Sequence, residues 1–156
     1  MFLTVHASAG IIIGQQTGNI WLAFLAGLIS HFLLDILPHG DQGLIKDRYN
    51  ITVEEIKLIR KLGITDTFNT GLLVVIIYLF GLITSPVTVL FAVAGSVLPD
   101  YINAFYIFFK LKWLKWYFEI HYKLHYVWNG FTINFPQGIV VQTITLAIFI
   151  TLITIL

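Results

Sequence analysis

Between Gly138 and Leu156 the chain carries no charged residue. A helix of that length, rising about 1.5 Å per residue, matches the roughly 30 Å of hydrocarbon in a bilayer. Such a segment is stable only with its backbone hydrogen bonds closed internally and with lipid or other helices around it. Four more apolar runs precede it, at about Phe2–Gln15, Ile20–Leu37, Ile64–Thr84 and Pro86–Leu98. Of the 156 residues, 58% are hydrophobic and 11% charged, against about 45–50% and 25% in soluble domains. Too few polar side chains remain to cover a soluble body of this size. The expected fold is an all-α, polytopic membrane helical bundle of about five apolar helices with one or two interfacial amphipathic helices, forming a single integral membrane domain over residues 1–156.

Local signals divide the chain. The N-terminus lacks a basic n-region and a small-residue cleavage pattern, so it is expected to belong to the mature fold. Gln16-Thr17-Gly18-Asn19 reads as the turn of a helical hairpin, and Pro38 stops the second helix. The first run is short for a complete crossing. Residues His39 to Gly63 hold most of the polar sequence, and Thr52-Val53-Glu54-Glu55 has the form of a capping box. With Ile56, Leu58, Ile59 and Leu62 forming an apolar stripe, a short helix on the membrane surface is expected there. Ser85-Pro86 makes the next turn, the fourth helix is expected to end at Pro99, and a second interfacial helix is expected between Tyr101 and Trp128.

Antiparallel threading of these helices sends all five histidines, all eight acidic residues and all nine Lys and Arg to one side of the membrane. By the positive-inside rule that side faces the cytoplasm of a multi-pass cell-membrane protein. The opposite turns carry only uncharged polar groups such as Gln15, Gln16, Asn19 and Ser85.

The chain has no cysteine, so any metal must be held by nitrogen and oxygen. His31 and Asp35 are spaced i, i+4, which places imidazole and carboxylate on one helix face, and His121 and His125 repeat the spacing with two imidazoles. In a soluble helix such a pair is more often a surface contact. At bilayer depth an ionisable group costs several kcal/mol unless paired or coordinated, and Asp35 therefore needs a partner. His6 reads equally as a helix-start histidine at the headgroups or as a ligand. Asp66 and Asp100 each read as a helix cap or as a functional carboxylate, and His39 as a loop residue or a ligand. The convergence of these residues at one face favours a common site.

Glu119, four residues from both Lys115 and Lys123, reads as part of a surface ion-pair run. Trp113, Trp116, Tyr117, Tyr122, Tyr126 and Trp128 read as an aromatic belt, with Trp21 marking the opposite interface. No phosphate loop, dinucleotide fingerprint, Gly-x-Ser-x-Gly elbow or nucleic-acid reader is present, and no nucleic-acid partner is expected.

His6-x-x-x-Gly10, His31-x-x-x-Asp35-x-x-Pro38-His39 and Gly95-x-x-Leu98-Pro99-Asp100, followed by His121 and His125, resemble the small membrane-bound metal-dependent hydrolases of bacteria and archaea. The resemblance covers roughly the first 125 residues. A more distant likeness is to the zinc-dependent phospholipases C. Many members of the membrane family carry a second acidic residue two positions after the Leu-Pro-Asp aspartate, where this chain has Ile102, and often place Arg-Gly between the late histidines. The resemblance implies a helical site in which His6, His31, Asp35, His39, Asp100, His121 and His125 hold a divalent metal such as Zn2+. The expected activity is hydrolysis of a phosphoester or lipid-like substrate at the cytoplasmic interface by metal-activated water, with Asp66 as the base. The alternative is a non-catalytic membrane scaffold or partner-binding protein with a structural His/Asp cluster. A homo-oligomer would complete the bundle if the short helices do not cross alone.

Overall fold

The computed structural model describes residues 1–45, 47, 50–125 and 133–156. Within these the chain is helical, with α1 at Leu3–Gln16, α2 at Ile20–Asp35, α3 at Val53–Leu79, α4 at Pro86–Phe109, α5 at Lys115–Leu124 and α6 at Phe135–Ile155. Short 3-10 turns lie at Asp41–Leu44 and Lys112–Leu114, and no strand occurs among the described residues. Three helices, α3, α4 and α6, are long and apolar enough to cross a membrane, and α2 is apolar but shorter. Most of each spanning surface faces away from the protein, as membrane association requires.

Each start follows from local chemistry. The Asn19 side chain accepts the backbone N–H of Trp21 and Leu22 at the head of α2. Thr52 and Glu55 close both arms of the expected capping box. Pro86 occupies the first turn of α4, where its missing N–H costs nothing. Asn134 and Gln137 form a second box at the head of α6.

Three boundaries differ from expectation. The surface helix and the third apolar run are one helix of 27 residues: nothing between Thr52 and Phe80 breaks it, and the fall in charge after Lys61 changes the environment without ending the helix. Pro99 lies inside α4, which continues to Phe109. Neighbouring helices tolerate the lost ladder bond, as they do in membrane bundles, and the Pro99 carbonyl accepts the Tyr117 hydroxyl at 3.1 Å. Finally, α1 is an interior helix, buried along most of its 14 residues and touching α2, α3, α4 and α6. Among the described residues three helices meet the length and hydropathy of a crossing and α2 is a shorter apolar helix, so the expected count of about five apolar helices is matched only in part.

Small residues set the packing. A Cβ at Gly27 would overlap the Ala92 carbonyl, and one at Gly95 would overlap the Phe24 carbonyl. The backbones of α2 and α4 thus meet through reciprocal glycines, a contact that suits helices with no hydrophobic driving force between them. This places the end of α2 that bears His31 and Asp35 beside the stretch of α4 that bears Ser96 and Asp100. The stretch where a second interfacial helix is expected forms the amphipathic helix α5, with Trp113 exposed just before it, Trp116 exposed on it and Lys115 and Glu119 paired at 3.9 Å. Tyr126 and Trp128 lie outside the described residues.

Candidate metal centre

Asp35, the last residue of α2, is fully buried and is the point on which the histidines converge. Its Oδ2 lies 3.0 Å from His31 Nε2, 3.1 Å from His121 Nε2 and 3.5 Å from His125 Nε2. Its Oδ1 lies 3.2 Å from His6 Nε2 and 3.9 Å from His39 Nε2. Asp100 completes the ring of expected ligands, with Oδ1 3.8 Å from both His31 Nε2 and His121 Nε2 and Oδ2 4.0 Å from His6 Nε2. The structure thus gathers all seven expected ligands: α1 supplies His6, α2 supplies His31 and Asp35, the loop after Pro38 supplies His39, α4 supplies Asp100, and α5 with its C-cap supplies His121 and His125.

Two overlapping groups have the spacing of a cation site: His31, Asp35, Asp100 and His121, and then Asp35, His39 and His125. Ligand atoms about 2.05 Å from a tetrahedral zinc stand about 3.3 Å apart. The separation of 3.3 Å between His31 Nε2 and His121 Nε2 fits that figure, as do their contacts of 3.0 and 3.1 Å with Asp35. His6 belongs to neither group and stacks on His31 with ring centroids 4.1 Å apart.

The second ring nitrogens show what the cluster needs. His31 Nδ1 donates to the Ser96 carbonyl at 2.8 Å and His39 Nδ1 donates to the Leu37 carbonyl at 2.7 Å. In a neutral imidazole this leaves Nε2 as a lone pair. Each Nε2 is directed towards the Asp35 carboxylate, so in the neutral form acceptor meets acceptor, and a metal cation or a second proton on the ring would satisfy the pair. A backbone carbonyl holding the far nitrogen is the usual support of a metal-bound histidine. His39 Nε2 and His121 Nδ1, with both nitrogens of His6, are buried without a hydrogen-bond partner among the described residues. Burial lowers the pKa of His39 to about 3, reinforced by the nearby α-amino group against the pull of Asp35. Burial likewise holds His125 well below the ordinary histidine range. Both are then in the neutral form that ligation requires.

Asp66 takes a different place. Its carboxylate accepts the backbone N–H of Leu3 and Thr4 and the Thr4 hydroxyl, at 2.5, 3.3 and 2.5 Å. It caps the first turn of α1 from a neighbouring helix, where the helix dipole favours a negative charge. The cap expected of it belongs to another helix because α3 begins at Val53 and leaves Asp66 in mid-helix.

Several supporting groups escape a sequence reading. Gln142 of α6 is buried, donates to the His39 carbonyl at 2.8 Å and to Asp41 at 3.2 Å, and accepts the Phe2 N–H. A Cβ at Gly138 would overlap the same His39 carbonyl, so glycine lets α6 seat against that loop. Gln142, the one glutamine of α6 beyond its first turn, is the available signal. The α-amino group of Met1 lies 2.7 Å from Asp35 Oδ1 and 3.3 Å from Asp41 Oδ2.

Comparison of the chain with protein-family models, curated proteins and solved structures finds no match. The chemistry of the cluster is accordingly read from its geometry.

Proposed function

We propose that the protein is a membrane-embedded, metal-dependent hydrolase of phosphoester or lipid-like substrates, with its site at the cytoplasmic interface of a multi-pass bundle. The observation that carries this reading is the convergence of buried imidazole nitrogens and two carboxylates at the spacing of a cation site. His31, Asp35, Asp100 and His121 would hold one divalent cation, and Asp35, His39 and His125 a second. Zinc suits the all-nitrogen-and-oxygen donors and the tetrahedral spacing. When bound, such a cation supplies Lewis acidity and lowers the pKa of water towards about 7.

The chain's own groups supply the rest. Asp100 keeps a quarter of its side chain exposed (26%) and lines the adjoining cavity, so it is the cluster carboxylate placed to accept a proton from water. The oxygens of Asp66 already serve three donors of α1, and the base role is better placed on Asp100. Tyr117, pinned to the Pro99 carbonyl, keeps its phenolic proton because burial, with Asp100 and Asp35 nearby, pushes its pKa upward. It thereby fixes α5 against the turn of α4 that carries Asp100. The Lys and Arg residues on the same side support a cytoplasmic orientation.

The contact between the Met1 α-amino group and Asp35 favours a second reading, in which protonated partners alone neutralise the carboxylate and the cluster is a structural element of a scaffold. Elemental analysis of gently purified protein separates the two. Near-stoichiometric zinc that falls at least tenfold in His31→Ala and Asp35→Ala supports the hydrolase. Metal-free wild type, with the same variants losing only stability, supports the scaffold.

A further inference from the structure

A cavity of about 430 Å³ is enclosed by α3, α4 and α5 with the head of α1 and the stretch at Asp41, Leu44 and Ile45, in the range of small-molecule sites; Asp41 and Asp66 stand in its wall. Helices α3 and α4 are tied at Thr67 and Tyr101, whose hydroxyls stand 3.0 Å apart, and both residues line the cavity. Ile59, Leu62 and Ile64 of α3, Ile107 and Phe108 of α4 and Phe118 of α5 give it apolar walls. Asp100 and His125, both members of the cluster, stand in the same wall, so the cavity adjoins the candidate metal centre.

Its mouth is as informative as its walls. Ile64, Tyr101 and Phe108 line it while remaining exposed, next to Phe68 and Phe105 on the outward faces of two helices long and apolar enough to cross a membrane. With α3 and α4 crossing a membrane, this exposed apolar edge would face the bilayer, while the charged part of the lining would lie towards the headgroups. Arg60, one turn before Ile64, gives the lining a cation at headgroup depth. Asn103 Oδ1, also in the lining, is buried with no hydrogen-bond partner among the described residues and offers a polar contact to a ligand's head.

We propose that this cavity binds the single hydrocarbon chain of an amphiphile, which slides in sideways from the bilayer between α3 and α4 and leaves its polar head at Asp100 and His125. A water-soluble phosphoester would leave the apolar walls unused, and the volume suits one chain better than the two of a diacyl lipid. The head's chemistry rests on the hydrolase reading above, whereas the chain site rests on the cavity alone.

Photolabelling in nanodiscs tests this. Two single-chain probes carry a mid-chain diazirine, one with a glycerol head and one with a phosphate head, and each is applied to zinc-loaded and chelator-stripped protein with zinc measured on the same samples. The glycerol probe should label residues 59–64 and 104–108 in both states. Gly63→Leu and Ala104→Phe should each cut that labelling at least tenfold with zinc content unchanged; Gly63 lines the cavity and a Cβ there meets nothing within 4 Å, so the larger side chain enters without a backbone clash. The phosphate probe should label the same residues more strongly when zinc is present. Cavity labelling by the glycerol probe in protein that never takes up zinc still supports the chain site and overturns the metal centre. Zinc uptake with label spread evenly over the lipid-facing side chains of α3, α4 and α6, unaffected by the two variants, overturns the chain site alone.

Discussion

Helices α1 and α3 are both apolar at heart, yet the protein uses them in opposite ways. Along α1 the side chains are small, with Ala7, Ser8, Ala9, Gly10 and Gly14 buried against other helices. Along α3 they are large, and Leu72, Val75, Ile76, Tyr78 and Leu79 stand exposed, with only Thr70 and Ile77 buried. In water hydropathy alone would sort inside from outside. In a bilayer, where lipid tails are as apolar as leucine, side-chain size and the presence of a polar group do the sorting, because close backbone approach is what one helix offers another.

The sharpest way to break this contrast is a matched pair of glycine substitutions. A Cβ at Gly14 of α1 would overlap the Val89 backbone, whereas one at Gly71 of α3 meets nothing within 4 Å. Gly14→Leu should cost about 3 kcal/mol or more, and Gly71→Leu should stay within about 0.5 kcal/mol of wild type, as read by reversible unfolding in mixed micelles. Equal losses in the two variants would mean that α1 is not the interior helix. Next in size is Asp66→Ala, which removes the reach of α3 to the head of α1. A loss of about 1–2 kcal/mol is expected, with bound zinc unchanged. Zinc lost at full stability would instead return Asp66 to the site. The smallest effect concerns Thr70, whose hydroxyl is buried on α3 without a hydrogen-bond partner among the described residues. Thr70→Val keeps the shape and removes the unsatisfied group, so stability should hold or rise by up to about 1 kcal/mol. A clear loss would show that the hydroxyl has a partner in the membrane.

Much of the site is legible in the sequence, for a physical reason. Ionisable residues are so costly at bilayer depth that their positions along a hairpin pattern already say which end they share, and His31, Asp35, Asp100, His121 and His125 do meet. The Thr52–Glu55 box was legible because its chemistry is local. Pro99 misled because the rule that proline ends a helix comes from water, where no neighbouring helix steadies the break. The join of the surface helix to the third apolar run was hidden because charge marks the environment of a helix and not its continuity. The roles of Gln142 and Asp66 depend on which helix lies alongside, and spacing within a single segment carries no trace of that.

The His39 loop carries a consequence for biogenesis. Its carbonyl is held by Gln142 from α6, while the other donors are spread from His6 to His125. Chains are made from the N-terminus at about 5–20 residues per second, so for several seconds after the first imidazole leaves the ribosome the nascent protein owns every early donor and no finished pocket. A site that takes up metal would be complete only once residue 142 has entered the bilayer, and a chain truncated before it would lack the Gln142 hydrogen bond that holds the His39 loop.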